Sequence, residues 1–360
     1  MAVWHGGTTH RSTSLSHQLV SMLRMTMMET LNRWMRAVSG AALATLLSVS
    51  LLACSTPAPG PQSFQVGLWG DSGYNAFEKQ ALPGLMAEMN RAPLAFVVHD
   101  GDFKSGSSPC TDAAFQEALD LFQTSAHPLI YVPGDNDWTD CHRPAAGRFD
   151  PLERLTQLRE MFFNGPTSLG QRTLQLERQS DQAARHPEWA AYRENVRWVH
   201  GGVLFVGLNL PGSDNNFDGA QRGSGPSAEY LARLPVNRAW VAQAFELART
   251  QHLAGLMLII QANPEIEAFN QGKGHVAYRE FLTQLRDETH RWGKPVVLVH
   301  GDSHQQQINQ PLQDAQGQTL RNFTRVETYG SPFMGWTRVT VDPQSPRVFS
   351  FEPRAYSPSR

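Results

Sequence analysis

The chain has 360 residues, 41% hydrophobic and 18% charged, with a formal net charge of −2. That length suits one large α/β domain or two small ones, and 23 prolines with 29 glycines point to a loop-rich globular protein. No basic run is present, which argues against a nucleic-acid partner.

In chain order, the leader comes first. Arg33 and Arg36 precede an apolar run from Ala37 to Ala53, the length of a signal-peptide core and too short for a confident membrane span. It ends Leu51-Leu52-Ala53-Cys54, which resembles a bacterial lipobox. Residues 1–53 are therefore expected to be a lipoprotein-type signal region, with Met25, Met27 or Met28 as plausible internal starts. Cys54 would be lipidated, and 54–63 would be a Pro-rich tether. The expected place is the bacterial cell envelope, facing the periplasm, with Ser55 favouring the outer membrane. An even pair of remaining cysteines, Cys110 and Cys141, favours a disulfide in an exported protein.

Residues 64–354 read as one domain. Phe64–Trp69 is a strand, Asn75–Met89 a helix, Leu94–His99 a second strand, and Asp112–Gln123 a second helix. Leu129–Val132 is a third strand. Asp150-Pro151 opens a helix to Phe163. Residues 164–195 are polar and carry no clear element. Strands follow at Trp198-Val199, Val203–Leu208 and Leu256–Ile260, with a helix capped by Asn237 between the last two. His275–Trp292 is helical, Val296–Val299 is a strand, and three short strands end the chain at 325–329, 337–341 and 347–351. Alternating strands and helices followed by strand after strand suggest sheet packed on sheet, with helices outside.

Four strands end in Gly-Asp: Gly70-Asp71, Gly101-Asp102, Gly134-Asp135 and Gly301-Asp302, the last continuing Ser303-His304. Open α/β sheets place their chemistry at carboxyl ends of strands. Four acids meeting there would repel one another unless cations lay between them. Asp102 reads as the carboxylate shared by two ions.

These turns resemble those of the calcineurin-like metallophosphoesterases, whose pattern is Asp-x-His, Gly-Asp, Gly-Asn-His-Asp/Glu, a later His, and Gly-His-x-His. The match runs over roughly residues 64–342. It implies a four-layer α/β/β/α sandwich, two divalent metal ions and hydrolysis of a phosphate ester. Gly73 stands where the first histidine usually does, as in purple acid phosphatases, but Ser105 replaces their tyrosine. Asp135 replaces the asparagine ligand, Asn136 the histidine that assists the leaving group, and Asp302 the first histidine of Gly-His-x-His. Gln261 or Ala262 stands where the later histidine belongs.

The first metal position would keep Asp71, Asp102 and His304 and take Mn, Fe or Zn. The second would use Asp102, Asp135, Asp302 and the Gln261 side-chain oxygen. That all-oxygen set suits Mg, Mn or Ca. Asn136 cannot deliver a proton, so either the substrate has a good leaving group, or Asp137, His142 or His99 serves as acid, or the site is slow; His99 reads more simply as a core residue. Lys104, Trp138 and Asn263 are the expected substrate contacts. Asp214–Gly219 looks like the first half of a calcium loop, although Gly225 stands where that loop needs Glu. The expected substrate is a phosphorylated small molecule or envelope component. The competing expectation is a catalytically degenerate descendant that binds a phosphorylated or polyanionic envelope ligand.

Overall fold

A computed structural model describes residues 62–358 and, before them, Met28 and Arg33. Apart from those two, the expected signal region, with Cys54 and most of the tether, lies outside the described residues. The chain divides into the units Met1–Pro59 and Gly60–Arg360, and everything below concerns the second. Among the described residues no helix is long and apolar enough to cross a membrane.

Two sheets form the unit. In the first, β1 (Phe64–Trp69), β2 (Leu94–His99) and β3 (Leu129–Tyr131) run parallel. Antiparallel β11 (Gly335–Val341) and β12 (Phe349–Ala355) extend it beyond β1. The second sheet has the order β4-β5-β6-β7-β8-β10-β9. Its strands are β4 (Glu177–Arg178), β5 (Val196–His200), β6 (Val203–Gly207), β7 (Gly255–Ile259), β8 (Val296–His300), β9 (Gln307–Asn309) and β10 (Phe323–Glu327). From β6 through β7 and β8 to β10 the pairing is parallel. Carboxyl ends of the central strands in each sheet therefore share one rim.

Strand alternation sorts side chains between faces. Val66, Leu68, Phe96 and Val98 share one core with Val203, Phe205, Met257 and Ile259 of the other sheet. The opposite face of the first sheet, with Trp69, Val97 and Tyr131, packs on α1 (Ala76–Arg91), α2 (Asp112–Gln123) and α3 (Pro151–Phe162). Leu204, Leu256 and Leu298 pack on α4 (Ala228–Thr250) and α6 (Val276–Trp292). The short α5 (Ile266–Asn270) follows β7.

Helix starts follow their caps. Asn75 accepts a bond from the Glu78 amide at 3.0 Å, Thr111 from Ala114 at 3.2 Å, and Asp150 from Leu152 at 2.8 Å with Pro151 next. The expected start at Asn237 is corrected. Ser227 caps α4 through the Tyr230 amide at 3.1 Å, and the helix continues across Pro235. Asn237 lies buried inside it, donating to the Asn209 carbonyl at 2.8 Å. In 164–195, β4 and two short 3-10 turns replace any long element.

Candidate functional site

The Gly-Asp turns interlock. A methyl group on Gly70 would lie 1.9 Å from Asp100 Oδ1; on Gly134, 2.0 Å from Asp102 Oδ1; on Gly301, 1.8 Å from Asp71 Oδ2. These three glycines leave room for a carboxylate from the neighbouring strand end. The sharp turn itself is taken by the acids, since Asp71, Asp102 and Asp302 have φ of 46°, 58° and 75°, and His304 has 59°. Non-glycine residues in this left-handed region are uncommon and gather where function requires a particular side-chain direction.

Asp71, Asp102, Asp135, Gln261, Asp302 and His304 form one connected group. Asp71 is fully buried, and its Oδ1 lies 3.4 Å from His304 Nε2. Its Oδ2 accepts the Asp302 backbone N–H at 3.1 Å. The Tyr74 hydroxyl reaches Asp102 Oδ2 at 3.0 Å and Asp71 Oδ1 at 3.3 Å. Asn136 gives its backbone N–H to Asp102 Oδ1 at 3.0 Å and its amide to Asp102 Oδ2 at 2.7 Å. The Gln261 amide nitrogen stands between three carboxylates, 3.0 Å from Asp135, 3.3 Å from Asp102 and 3.4 Å from Asp302.

That nitrogen corrects one expectation. The Gln261 oxygen accepts from the Gly212 and Asp135 backbone N–H groups, at 2.6 and 3.3 Å. Backbone donors thus fix which end faces the acids, and the oxygen points away from them.

Asp137 is also redirected. Its carboxylate accepts from the backbone of Asp102, Phe103 and Gly134 and from the Tyr131 hydroxyl, at 2.7 to 3.1 Å. Burial raises it to about 6 against those bonds, and every oxygen is committed to holding the turns rather than to proton delivery. Trp138 is fully buried, with the Arg233 guanidinium 5.7 Å from its ring centre, and cannot touch substrate as expected. Lys104 is buried too, and its ammonium donates to the Ser105 carbonyl at 3.3 Å without reaching an acid. Asn263 ties its loop to the turn after β8: its backbone N–H meets Asp302 Oδ2 at 3.0 Å and its amide meets Ser303 at 2.8 Å. His142 is half-buried, with Nδ1 2.8 Å from the Thr139 carbonyl. His99 is buried on Trp69 and pushed down to about 3 by burial, as fits a neutral core histidine. Cys110 and Cys141 are disulfide-bonded and join two of the site loops.

Besides Tyr74, the residues Ser213, Asp140, Arg143 and Arg233 enter without having been singled out in the sequence. The Ser213 hydroxyl bonds Asp135 at 2.7 Å and Asp140 at 3.0 Å, and Arg143 pairs with Asp140 at 2.6 Å. Ser213 opens a run of four left-handed residues, Ser213–Asn216, with φ from 47° to 56°. Arg233 holds that run through Asn215 Oδ1 at 2.6 Å and the Asn215 carbonyl at 2.9 Å. The half-match to a calcium loop serves other contacts here. Asp214 faces His275 at 3.6 Å, while Asp218 accepts the Gly223 and Gly225 N–H groups.

Electrostatics divide the group. Burial raises Asp71, and the adjacent His304 partly offsets this. Burial opposes charge on His304, yet Asp71 beside it holds its pKa up to about 9. Burial and then Asp135, Asp137 and Asp71 push Asp102 well above the carboxylate range. Burial and Asp135 lift Asp302 to about 8. Asp140 rises to about 7 through burial and Asp135.

Among the described residues no three His, Cys, Asp or Glu side chains converge as a ready metal cage. The donor set still fits hard cations in chemistry. Crowded carboxylates hold more negative charge than their surroundings balance, and several of their oxygens are met by neutral donors from Tyr74, Asn136 and Gln261. A cation could displace those donors.

No known protein-family profile matches the chain. No curated protein matches it either. A crystal structure of a dimetal phosphatase from Danio rerio overlaps 81% of this chain and 96% of that one, at 12% identity and a TM-score of 0.44. That overlap is too loose to assign a family or an activity.

Proposed function

We propose that the acid group binds divalent cations and hydrolyses a phosphate ester in an α/β/β/α sandwich. The observation that carries this is the meeting of Asp102, Asp135 and Asp302 around one amide nitrogen, with Asp71 joined to them through the Asp302 backbone N–H. Asp71, Asp102 and His304 would hold one ion, of Mn, Fe or Zn. Asp102, Asp135 and Asp302 would hold the second, of Mg, Mn or Ca, once the Gln261 amide yields its place. Bound there, the ions would supply Lewis acidity to a phosphoryl group and to an attacking water.

The chain's own residues do the rest. Asn136 orients Asp102 and the Tyr74 hydroxyl through its amide N–H groups. Asp137 and the disulfide keep the turns in register. Of the expected acids only His142 stays half-open, with its Nε2 free of the Thr139 carbonyl bond. It is the proton donor of this proposal. General acid help is worth about 10²–10⁴-fold in rate.

The protein is read as a lipid-anchored, periplasm-facing envelope protein acting on a phosphorylated small molecule or envelope component. The amide at the second ion's place favours one alternative, a degenerate protein that binds a phosphorylated ligand without turnover. Hydrolysis of nitrophenyl phosphate mono- and diesters with Mg²⁺, Mn²⁺, Ca²⁺ and Zn²⁺ separates the two. Metal-dependent turnover that disappears in Asp102→Asn supports the enzyme. Metal-dependent melting without turnover supports the binder and defeats the hydrolase reading.

A further inference from the structure

Between α1 and α2, on the helix-covered face of the first sheet, runs a half-open groove of about 550 Å³. Leu82, Met86, Ala118 and Phe122 make its walls apolar. Its volume falls within the roughly 300–1,000 Å³ of small-molecule pockets. Lys79 pairs with Glu117 at 2.9 Å, and the Asn90 amide donates to the Thr124 carbonyl at 3.0 Å. All four residues border the groove, so polar bonds between the helices fix its width.

The floor differs from the walls. Trp69, His99 and Lys104 line it, each at most 2% exposed. All three carry donors that the protein leaves short of acceptors. The Lys104 ammonium has three N–H groups. Among the described residues it donates only to the Ser105 carbonyl, at 3.3 Å, and forms no ion pair. Trp69 Nε1 is buried without a hydrogen-bond partner. His99 Nδ1 accepts the Gly101 N–H at 3.2 Å, which puts the proton of the neutral ring on Nε2. That N–H meets no acceptor among the described residues. Buried polar groups are nearly always paired, so three short-changed donors on one floor call for an acceptor.

We propose that the groove binds a long-chain carboxylate, its head paired with Lys104 at the floor and its chain lying along the apolar walls between α1 and α2. A carboxylate is an acceptor only, which suits a floor of donors. Its single negative charge matches the single unpaired cation. A neutral head would leave that ammonium buried without a counterion, which is costly. A doubly charged head would meet repulsion from Asp137 and Asp102, which act on Lys104 from beyond ion-pair distance. The mouth offers an anion nothing. Lys79 there is already paired with Glu117, and the exposed Asp120 accepts from the Gln116 amide at 2.7 Å. The head therefore lies inward. Binding here does not depend on the hydrolase reading, which can fail separately.

The test is a fluorescence titration of the full chain with cis-parinarate, followed by displacement with decanoate, decanol and decyltrimethylammonium. One saturable site per chain is expected. Decanoate should displace the probe at concentrations at least tenfold lower than either of the other two. Lys104→Gln removes the charge and keeps an amide donor. It should weaken decanoate at least tenfold and bring it level with decanol. Ala87→Trp, on the half-exposed wall, narrows the groove and should weaken cis-parinarate at least tenfold with an unchanged melt. If Lys104→Gln does not fold, Ala87→Trp and the ranking of the three heads still decide. No saturable binding, or undiminished binding in folded Ala87→Trp, overturns the site. Decanol or decyltrimethylammonium binding as tightly as decanoate, or a folded Lys104→Gln that keeps its preference for decanoate, overturns the carboxylate assignment.

Discussion

The two ends of the acid group are built differently. At one end Asp71 faces His304, whose imidazole it holds in the charged form up to about pH 9 while His304 Nδ1 donates to the Ser331 carbonyl at 2.7 Å. At the other, Asp102, Asp135 and Asp302 meet only neutral donors, from Gln261, Asn136, Tyr74, Ser213 and the Asn263 backbone. One end carries its own countercharge. The other must take up protons or a cation, which is why burial and neighbouring carboxylates lift Asp302 to about 8. The contrast locates where an added ion gains most.

The first expected effect follows from that end. A divalent ion at a hundred times its dissociation constant adds about 2.7 kcal/mol to stability. Melting of chelator-stripped protein with and without Mn²⁺ measures it. Next is Gln261→Ala. Two buried backbone N–H groups, of Gly212 and Asp135, lose their acceptor, at about 1–3 kcal/mol each. Cation affinity should hold or rise, because the amide no longer fills the space. A 10–100-fold loss of affinity, the size seen when supporting groups of metal sites are removed, would instead restore Gln261 as a ligand and erase the contrast.

A smaller effect is the pH dependence of the cation-free protein. Asp302 binds its proton more tightly folded, at about 8, than at its ordinary 3.8. Folded protein therefore holds the extra proton between those values, and stability falls as pH rises through them. His304, raised from 6.5 to about 9, contributes fully below 6.5 and loses its contribution as pH passes 9. Both act in one direction. Above pH 6.5, where His99 is neutral folded or unfolded, melting temperature in chelator should decline up to pH 9, and the gain from Mn²⁺ should widen over the same range. A melting temperature that climbs over this range would mean the acids are already balanced.

Much of this architecture was readable beforehand because it is local. Apolar runs closed by Gly-Asp marked the ends of β1, β2, β3 and β8, and Asp150-Pro151 marked the start of α3. Convergence of the acids followed from parallel strands sharing a rim. What escaped reading depends on distant partners. Ser213 reaches Asp135 only because Arg233, twenty residues further on, grips Asn215. Gln261 shows its nitrogen to the acids because Gly212 and Asp135 claim its oxygen. Asp137 and Trp138 stand beside Asp135 and Asn136 in the sequence, yet the turn directs both into the interior. Tyr74 had a usable signal, since it follows Asp71 by three residues in the same turn. Pro235 hid the true start of α4, because packing carries that helix across a residue that usually breaks one.

The most direct test is calorimetric titration of Mn²⁺ into chelator-stripped protein at pH 7, in two buffers of different ionisation heat. The account predicts saturable binding with release of protons from the acid group, abolished in Asp102→Asn. Absence of binding at millimolar Mn²⁺, or binding indifferent to Asp102→Asn, would contradict it.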